Sequence, residues 1–198
     1  MSDAPLKELE RVVKVTGNNR FTASRRLHVH YMASLVVLVV SSLVVVGVSI
    51  LDILDLIPSE NDVIVSGSSV LFSVFIFVVS IVFFMNDFSA RSFKMYSCGI
   101  EINRLKMRIF QELQGGREDG IFLFNYYRLK YEEILDRYEN HKYVDHAWTK
   151  FTWPQEYKNN RAWIFVKVIA LLIFEFSVYM IVLMVSLLWI FFVIKVVM

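Results

Sequence analysis

The chain has 198 residues, 56% of them hydrophobic, and a mean hydropathy of +0.50. That is too apolar for an ordinary soluble domain of this size, and a net charge of only +2 gives no global electrostatic case for nucleic acid. The single cysteine, Cys98, excludes an internal disulfide framework, and the few glycines and prolines favour helix throughout.

Residues 1–30 form a basic segment that carries Lys7, Arg11, Lys14, Arg20, Arg25 and Arg26. About thirty polar residues precede the first apolar run, and no small-residue cleavage site follows a short apolar core, so a secretory signal peptide is not expected. The first predicted span runs from Met32 to about Leu51 and the second from Ser69 to Met85, both without charge. A bilayer core of ~30 Å needs roughly 20 apolar residues as helix, which both satisfy. The short connection between them contains Pro58, so they pair as a tight hairpin over 31–86.

Residues 87–160 read as a helical hairpin. Met95, Cys98, Ile102, Leu105 and Ile109 recur at gaps of three and four, the stripe of a helix continuing directly from the second span. Gly115 and Gly116 break it, and Asp119 is placed to cap the next helix, expected from about Gly120 to Asn140. On that helix Phe124, Tyr131 and Tyr138 fall seven apart, with Tyr127 and Ile134 at the second seam position. Two striped helices joined by a short glycine loop make an antiparallel pair. The seam accounts for the tyrosines. It does not account for "ENHKYVDH", 139–146, at and beyond its end.

Residues 161–198 form one long helix. As a single helix the 36 residues from Trp163 measure about 54 Å, more than one crossing needs. The second half, from about 176, is the expected span, while Lys167 and Glu175 keep the first half at the interface. The predicted fold class is therefore an all-α membrane protein: a transmembrane helical hairpin continuing into a cytosolic antiparallel helical hairpin, plus a long C-terminal transmembrane helix. The first loop holds Asp52, Asp55, Glu60 and Asp62 and no Lys or Arg, whereas 86–161 holds thirteen Lys and Arg. The positive-inside rule places the N-terminus and 86–161 in the cytoplasm, and the C-terminus outside, in a multi-pass protein of the bacterial inner membrane.

Small polar residues line the spans. Ser66, Ser69, Ser73, Ser80 and Asp87 share one face of the second, and Ser34, Ser41 and Ser49 are roughly aligned on the first. Such a stripe either lets helices approach closely or, turned to a lumen in an oligomer, lines a pore. Arg25 and Arg26, with His28 and His30, flank the first span as anchors to anionic lipid, and Trp163 joins them at the interface. Trp148, Phe151, Trp153 and Tyr157 around Pro154 read as an aromatic belt. No catalytic, cofactor-binding or metal site is predicted. His141 and His146 diverge by about 140° on a continuous helix, and an Asp145–His141 pair four residues apart has no nucleophile or third ligand. The glycine spacing of "QGGREDG" fits neither a P-loop nor a dinucleotide fingerprint.

Three pieces together resemble the SLATT family, small bacterial membrane proteins of conflict systems. They are the "NNRFTASRRL" approach into the first span, the tight hairpin of spans followed by a long helix, and "YEEILDRYENHKYVDHAW". In the last, Tyr131, Ile134, Leu135, Glu139, Asn140, His141 and Asp145 match the family's pattern; Asp145–His146 stands where the pattern commonly has Asp-Tyr. The resemblance covers about 18–155 and implies a pore-forming toxin of antiviral defence by abortive infection. It also implies a cytosolic sensor or inhibitor, either a nucleotide-signal system or a reverse transcriptase–RNA complex of the retron kind. On that reading the protein is a homo-oligomer that permeabilises or depolarises the membrane when released, with no enzyme activity, no cofactor and no direct nucleic-acid binding. Its partner or switch surface would be Tyr131, Tyr138, Glu139, Asn140, His141 and Asp145. The alternative is a non-lethal scaffold or regulatory subunit of a larger membrane complex.

Overall fold

The computed structural model describes residues 4–54, 56–115, 120–153 and 161–197, and no strand occurs among them. The helices are α1 (Ala4–Ile53), α2 (Asp62–Met85), α3 (Phe88–Gln114), α4 (Gly120–Asp136), α5 (Tyr143–Thr152) and α6 (Arg161–Val197). Three stretches, Ala4–Ile53, Asp62–Gln114 and Ala162–Val196, are long and apolar enough to cross a membrane. The chain divides into two units. One comprises Met1–His28 with Ser89–Leu172, the other Val29–Phe88 with Ile173–Met198. The capping role expected of Asp119 and the parts of the aromatic belt at Pro154 and Tyr157 lie outside the described residues.

In the first unit, Leu6, Leu9 and Val13 of α1 pack with Cys98, Ile102, Leu105 and Ile109 of α3 and Tyr127 and Ile134 of α4. The α3 stripe expected from the sequence is buried throughout, Met95 included. The antiparallel sense of α3 and α4 is visible in three contacts that step backwards along α3. Tyr127 OH donates to Glu112 at 3.4 Å, Tyr138 OH to Glu101 at 2.7 Å, and Arg91 Nε to Glu139 beyond α4 at 3.0 Å. The unit is more than a hairpin, because α1 supplies a third helix. Two glycines permit its approach to α3. A Cβ on Gly99 would stand 2.8 Å from the Phe21 ring, and one on Gly17 would stand 3.2 Å from Ile102.

One seam runs the whole of α1. Leu6, Leu9, Val13, Arg20, Ala23, Leu27, His30, Ser34, Val37, Ser41 and Val48 are all buried, at gaps of three, four or seven. The first thirty residues are therefore a packed helix as well as a basic segment. The polar residues Arg20, His30, Ser34 and Ser41 occupy seam positions and conceal the repeat from a hydropathy reading.

The second unit has two small cores. Val37, Phe83, Tyr179 and Val182 form one; Val48, Ile57, Val65 and Val193 form the other. Ser41 and Ser186 hydrogen-bond between α1 and α6 at 2.8 Å, and both are buried. Ser186 donates to the Val182 carbonyl at 2.9 Å, so Ser41 donates to Ser186. His30 is sandwiched between the near-parallel rings of Phe176 and Phe88, at 4.2 and 5.1 Å. Its Nδ1 lies 3.0 Å from Tyr179 OH and its Nε2 3.4 Å from Glu175. A polar residue in an apolar setting is retained when its hydrogen bonds are met, and both ring nitrogens have partners.

Two expectations are corrected. The second span does not continue directly into α3: the helix stops at Met85, and Asp87 adopts φ 43°. A left-handed residue cannot extend a right-handed helix, so α3 starts anew at Phe88. Nor does α4 reach Asn140. It ends at Asp136, residues 139–142 are non-helical, and α5 begins at Tyr143.

Candidate switch site

The "ENHKYVDH" stretch leaves the helix because α1 and its own carboxylate offer its backbone better partners. Arg20, fully buried, donates from Nη1 to the Glu139 carbonyl and from Nη2 to Asn140 Oδ1 at 3.3 Å. The Asp145 carboxylate turns back to accept the Lys142 N–H at 2.9 Å, which closes the first turn of α5. Among the described residues Arg20 has no carboxylate partner. Its partners there are neutral: the Glu139 carbonyl, the Asn140 amide oxygen and the Met95 sulfur at 3.6 Å.

Arg26 makes the second tie. Its Nε and Nη2 donate to the two oxygens of Asp145 at 2.8 and 3.1 Å, with the side chains 8% and 0% exposed. This two-point geometry in a dry setting is the strong form of the Arg–carboxylate interaction. Arg25 beside it is exposed. The two arginines expected together at lipid headgroups thus part company, and Arg26 turns inward.

Asn19 makes the third tie. Its Nδ2 lies 3.2 Å from both His141 Nε2 and His146 Nδ1. An amide NH₂ donates both protons, so both ring nitrogens accept; the network assigns neutral imidazoles protonated at His141 Nδ1 and His146 Nε2. Burial pushes both histidines below the ordinary value, with Arg20 adding to the effect on His141 and Lys150 to that on His146. The His141–Asp145 bond weighed on one helix does not form, because His141 lies ahead of α5 and Asp145 is held by Arg26.

The tyrosines fasten the rest. Tyr131 OH and Thr16 share a hydrogen bond of 2.7 Å, and burial raises the pKa of that phenol. The bond to Glu101 raises that of Tyr138. Thr22 and Thr149 hydrogen-bond at 3.3 Å, and Lys14 Nζ sits 5.0 Å over the Trp153 ring. Burial raises the Cys98 thiol, as expected of a packing cysteine. Trp163 is exposed, with Lys167 Nζ 5.6 Å from its ring.

The serines divide. Ser69, Ser73 and Ser80 donate to carbonyls of their own helix, as do Ser34 and Ser49 on α1. Ser66 reaches Asp52 and Asp62, and Asp87 is exposed at the α2–α3 break. Ser41 makes the buried cross-helix bond described above, and Ser66, through Asp52 of α1, makes a longer one of 3.4 Å. The Ser41 partner, Ser186, was not singled out in the sequence, nor were Asn19 and Arg20 as site residues. The signal for the last two lay in polar residues falling on or beside an otherwise apolar repeat.

The structure thus brings the two distant polar motifs, 19–26 and 139–146, to one place. No group of three or more His, Cys, Asp or Glu able to hold a metal occurs among the described residues. No curated protein and no solved structure matches the chain. A family model, the SMODS and SLOG-associating 2TM effector domain family 5, matches residues 2–196. The match takes in α1 from near its start and nearly all of α6, well beyond the motifs that carry the resemblance. The chain is a membrane protein that belongs to the SLATT effector-domain family.

Proposed function

We propose that this protein is a bacterial anti-phage effector that resides in the inner membrane and acts there by permeabilisation or depolarisation rather than by catalysis. A cytosolic partner holds it inactive, and release lets the spans of several copies rearrange. The family description, which pairs a membrane effector domain with SMODS and SLOG modules, is the observation that carries the reading. It favours a partner of that nucleotide-signal kind over a retron reverse transcriptase–RNA complex. The spans agree with it: only 11% of the most apolar stretch of α2 is buried, so α2 has most of its surface available to lipid or to another copy. The N-terminus and 86–161 face the cytoplasm and the C-terminus lies outside, by the balance of Lys and Arg.

The element to be switched is the 137–146 segment, held by Arg20, Asn19 and Arg26 and presenting Glu139 and Asn140 at the surface. A ligand or partner shifts such an element only by binding its two states differently. The test is membrane potential and colony survival after induced expression of the intact chain, alone and with neighbouring genes under phage challenge. A parallel culture carries Tyr138, Glu139, Asn140 and His141 all changed to Ala. Rapid depolarisation by the intact chain, lost in the folded and inserted variant, is the expected result. No depolarisation under any of these conditions rejects the effector reading and leaves a scaffold.

A further inference from the structure

We propose that the hollow between α1 and the 141–146 segment is a binding site for a phosphate-bearing anion. The hollow has a volume of about 420 Å³, inside the range of small-molecule sites, roughly 300–1,000 Å³. Arg11 and Lys142 stand on its rim, and Asn19, His141 and His146 line it deeper in, with Val12 and Val15 as an apolar wall.

Charge argues for an anion. No carboxylate lines the hollow. Both oxygens of Asp145 are taken by Arg26, while Glu8 holds Arg11 at the exposed surface through Nε and Nη2, at 3.0 and 2.7 Å, and Arg11 would exchange that carboxylate for the ligand. Beside Asn19 lies Arg20, wholly buried, without a carboxylate partner among the described residues and with Nε unbonded. A buried cation whose bonded partners are all neutral leaves a positive potential around it, strongest where water is excluded. Lys142 adds a second cation, and Arg11 a third once it turns from Glu8, a set that a multiply charged phosphate matches better than a monocarboxylate does.

Unmet hydrogen bonding points the same way. Asn19 is 3% exposed and its Oδ1 has no partner, nor has His141 Nδ1, the ring nitrogen that carries the proton. Native structures seldom leave buried polar atoms so; a small shift of the His141 ring on binding would present its N–H to the ligand, whereas the Asn19 oxygen, an acceptor, could take only a phosphate's own proton. The bonds expected are charge-assisted ones from Arg11 and Lys142, completed by an imidazole N–H.

The same chemistry is offered by a free phosphate compound or a lipid headgroup, and the experiment separates them. The full chain in neutral detergent is titrated with inorganic pyrophosphate by calorimetry, with the His141 and His146 ring signals followed by NMR. Binding at about millimolar or tighter is expected, weakened about tenfold by Arg11→Gln and by Lys142→Gln. Lys130→Gln, a change to an exposed lysine paired with Glu133 on α4, is expected to leave it unaltered. In a second arm the chain is reconstituted into vesicles of phosphatidic acid in neutral lipid, or of neutral lipid alone. Ring shifts with pyrophosphate that Lys142→Gln abolishes support a free ligand. Shifts that appear only with phosphatidic acid and vanish in the same variant support a headgroup. Absence of both, or binding indifferent to Arg11→Gln and Lys142→Gln, overturns the proposal. Both rim side chains are exposed, so the variants are expected to fold, with circular dichroism as the check. Binding is read on resting protein without leakage, so this proposal and the effector reading fail independently.

Discussion

Arg26 and Asp145, 119 residues apart, meet in a two-point ion pair with almost no water access. The pair joins the basic approach to the first span to the start of α5. Removing one partner strands the other's charge, which typically costs about 3–5 kcal/mol, whereas replacing both by apolar residues is often nearly neutral. Asp145→Asn is therefore expected to destabilise the chain by several-fold more than the double change Arg26→Met with Asp145→Leu. Asparagine can still accept the Lys142 N–H, so the loss reports the ion pair rather than the cap. Denaturant unfolding of detergent-solubilised protein measures it; equal losses in the single and double variants would contradict the account.

Arg20 holds the 139–142 backbone from inside. Arg20→Met keeps much of the volume and removes both hydrogen bonds. With about 1–3 kcal/mol lost from the segment, amides 138–142 should exchange at least tenfold faster. The seam residues Cys98 and Ile102 should keep their protection. Hydrogen exchange read by mass spectrometry distinguishes this local loosening from a general collapse. If 137–146 is the switch, the same variant should alter the depolarisation that the intact chain produces.

The parts of this architecture that rest on apolar periodicity were legible in the sequence. Met95 to Ile109 gave the α3 seam and Tyr127 with Ile134 the α4 seam, because each repeat is made of large apolar residues. The α1 seam was hidden: Arg20, His30, Ser34 and Ser41 sit at its core positions, and a pattern of polar residues at a/d spacing reads as surface until the partners are known. The break at Asp87 and the end of α4 at Asp136 were hidden for a related reason. Neither has a Gly or Pro to mark it, and the second depends on Arg20, more than a hundred residues away. For the site, the sequence marked 139–146 as unexplained by packing and could not show that 19–26 faces it.

Glycine at 99 is a packing requirement. A methyl there would meet the Phe21 ring at 2.8 Å, and that half-buried ring also packs edge-on against Tyr96, 5.7 Å away. Gly99→Ala is expected to cost about 1–3 kcal/mol despite the better helix propensity of alanine. Gly47→Ala has open space around its Cβ and is expected to be neutral or slightly stabilising. Unfolding midpoints of the two variants side by side test the contrast.

The serines offer a separation of packing from lining. Ser41→Ala removes a buried cross-helix bond and should cost about 0.6 kcal/mol, the average for such bonds within membranes. Ser73 donates to its own helix at the surface, so Ser73→Ala should leave stability unchanged. If α2 lines a lumen in the oligomer, a Ser73→Leu change should nonetheless reduce leakage in a liposome dye-release assay. Unchanged leakage would assign that face to lipid.

Stability should fall on mild acidification. His141 and His146 have folded-state pKa values below the ordinary 6.5, through burial first, then Arg20 for His141 and Lys150 for His146, with Asp145 opposing at His141. Above 6.5 both rings are neutral folded and unfolded, and their contribution is fully present. Below it the unfolded chain binds protons that the folded chain refuses, so stability declines until pH reaches the lowered folded values, then levels. Thermal midpoints from pH 8 down to 5 should show this decline, and a chain carrying His141→Gln and His146→Gln should show less of it. Protonated rings can no longer accept from Asn19, so acidification should also free the 139–142 segment, and hydrogen exchange at pH 5.5 against 7.5 would register it there. A midpoint that rises on acidification in the parent chain, or a decline equal in both proteins, would show that these two imidazoles do not set the dependence.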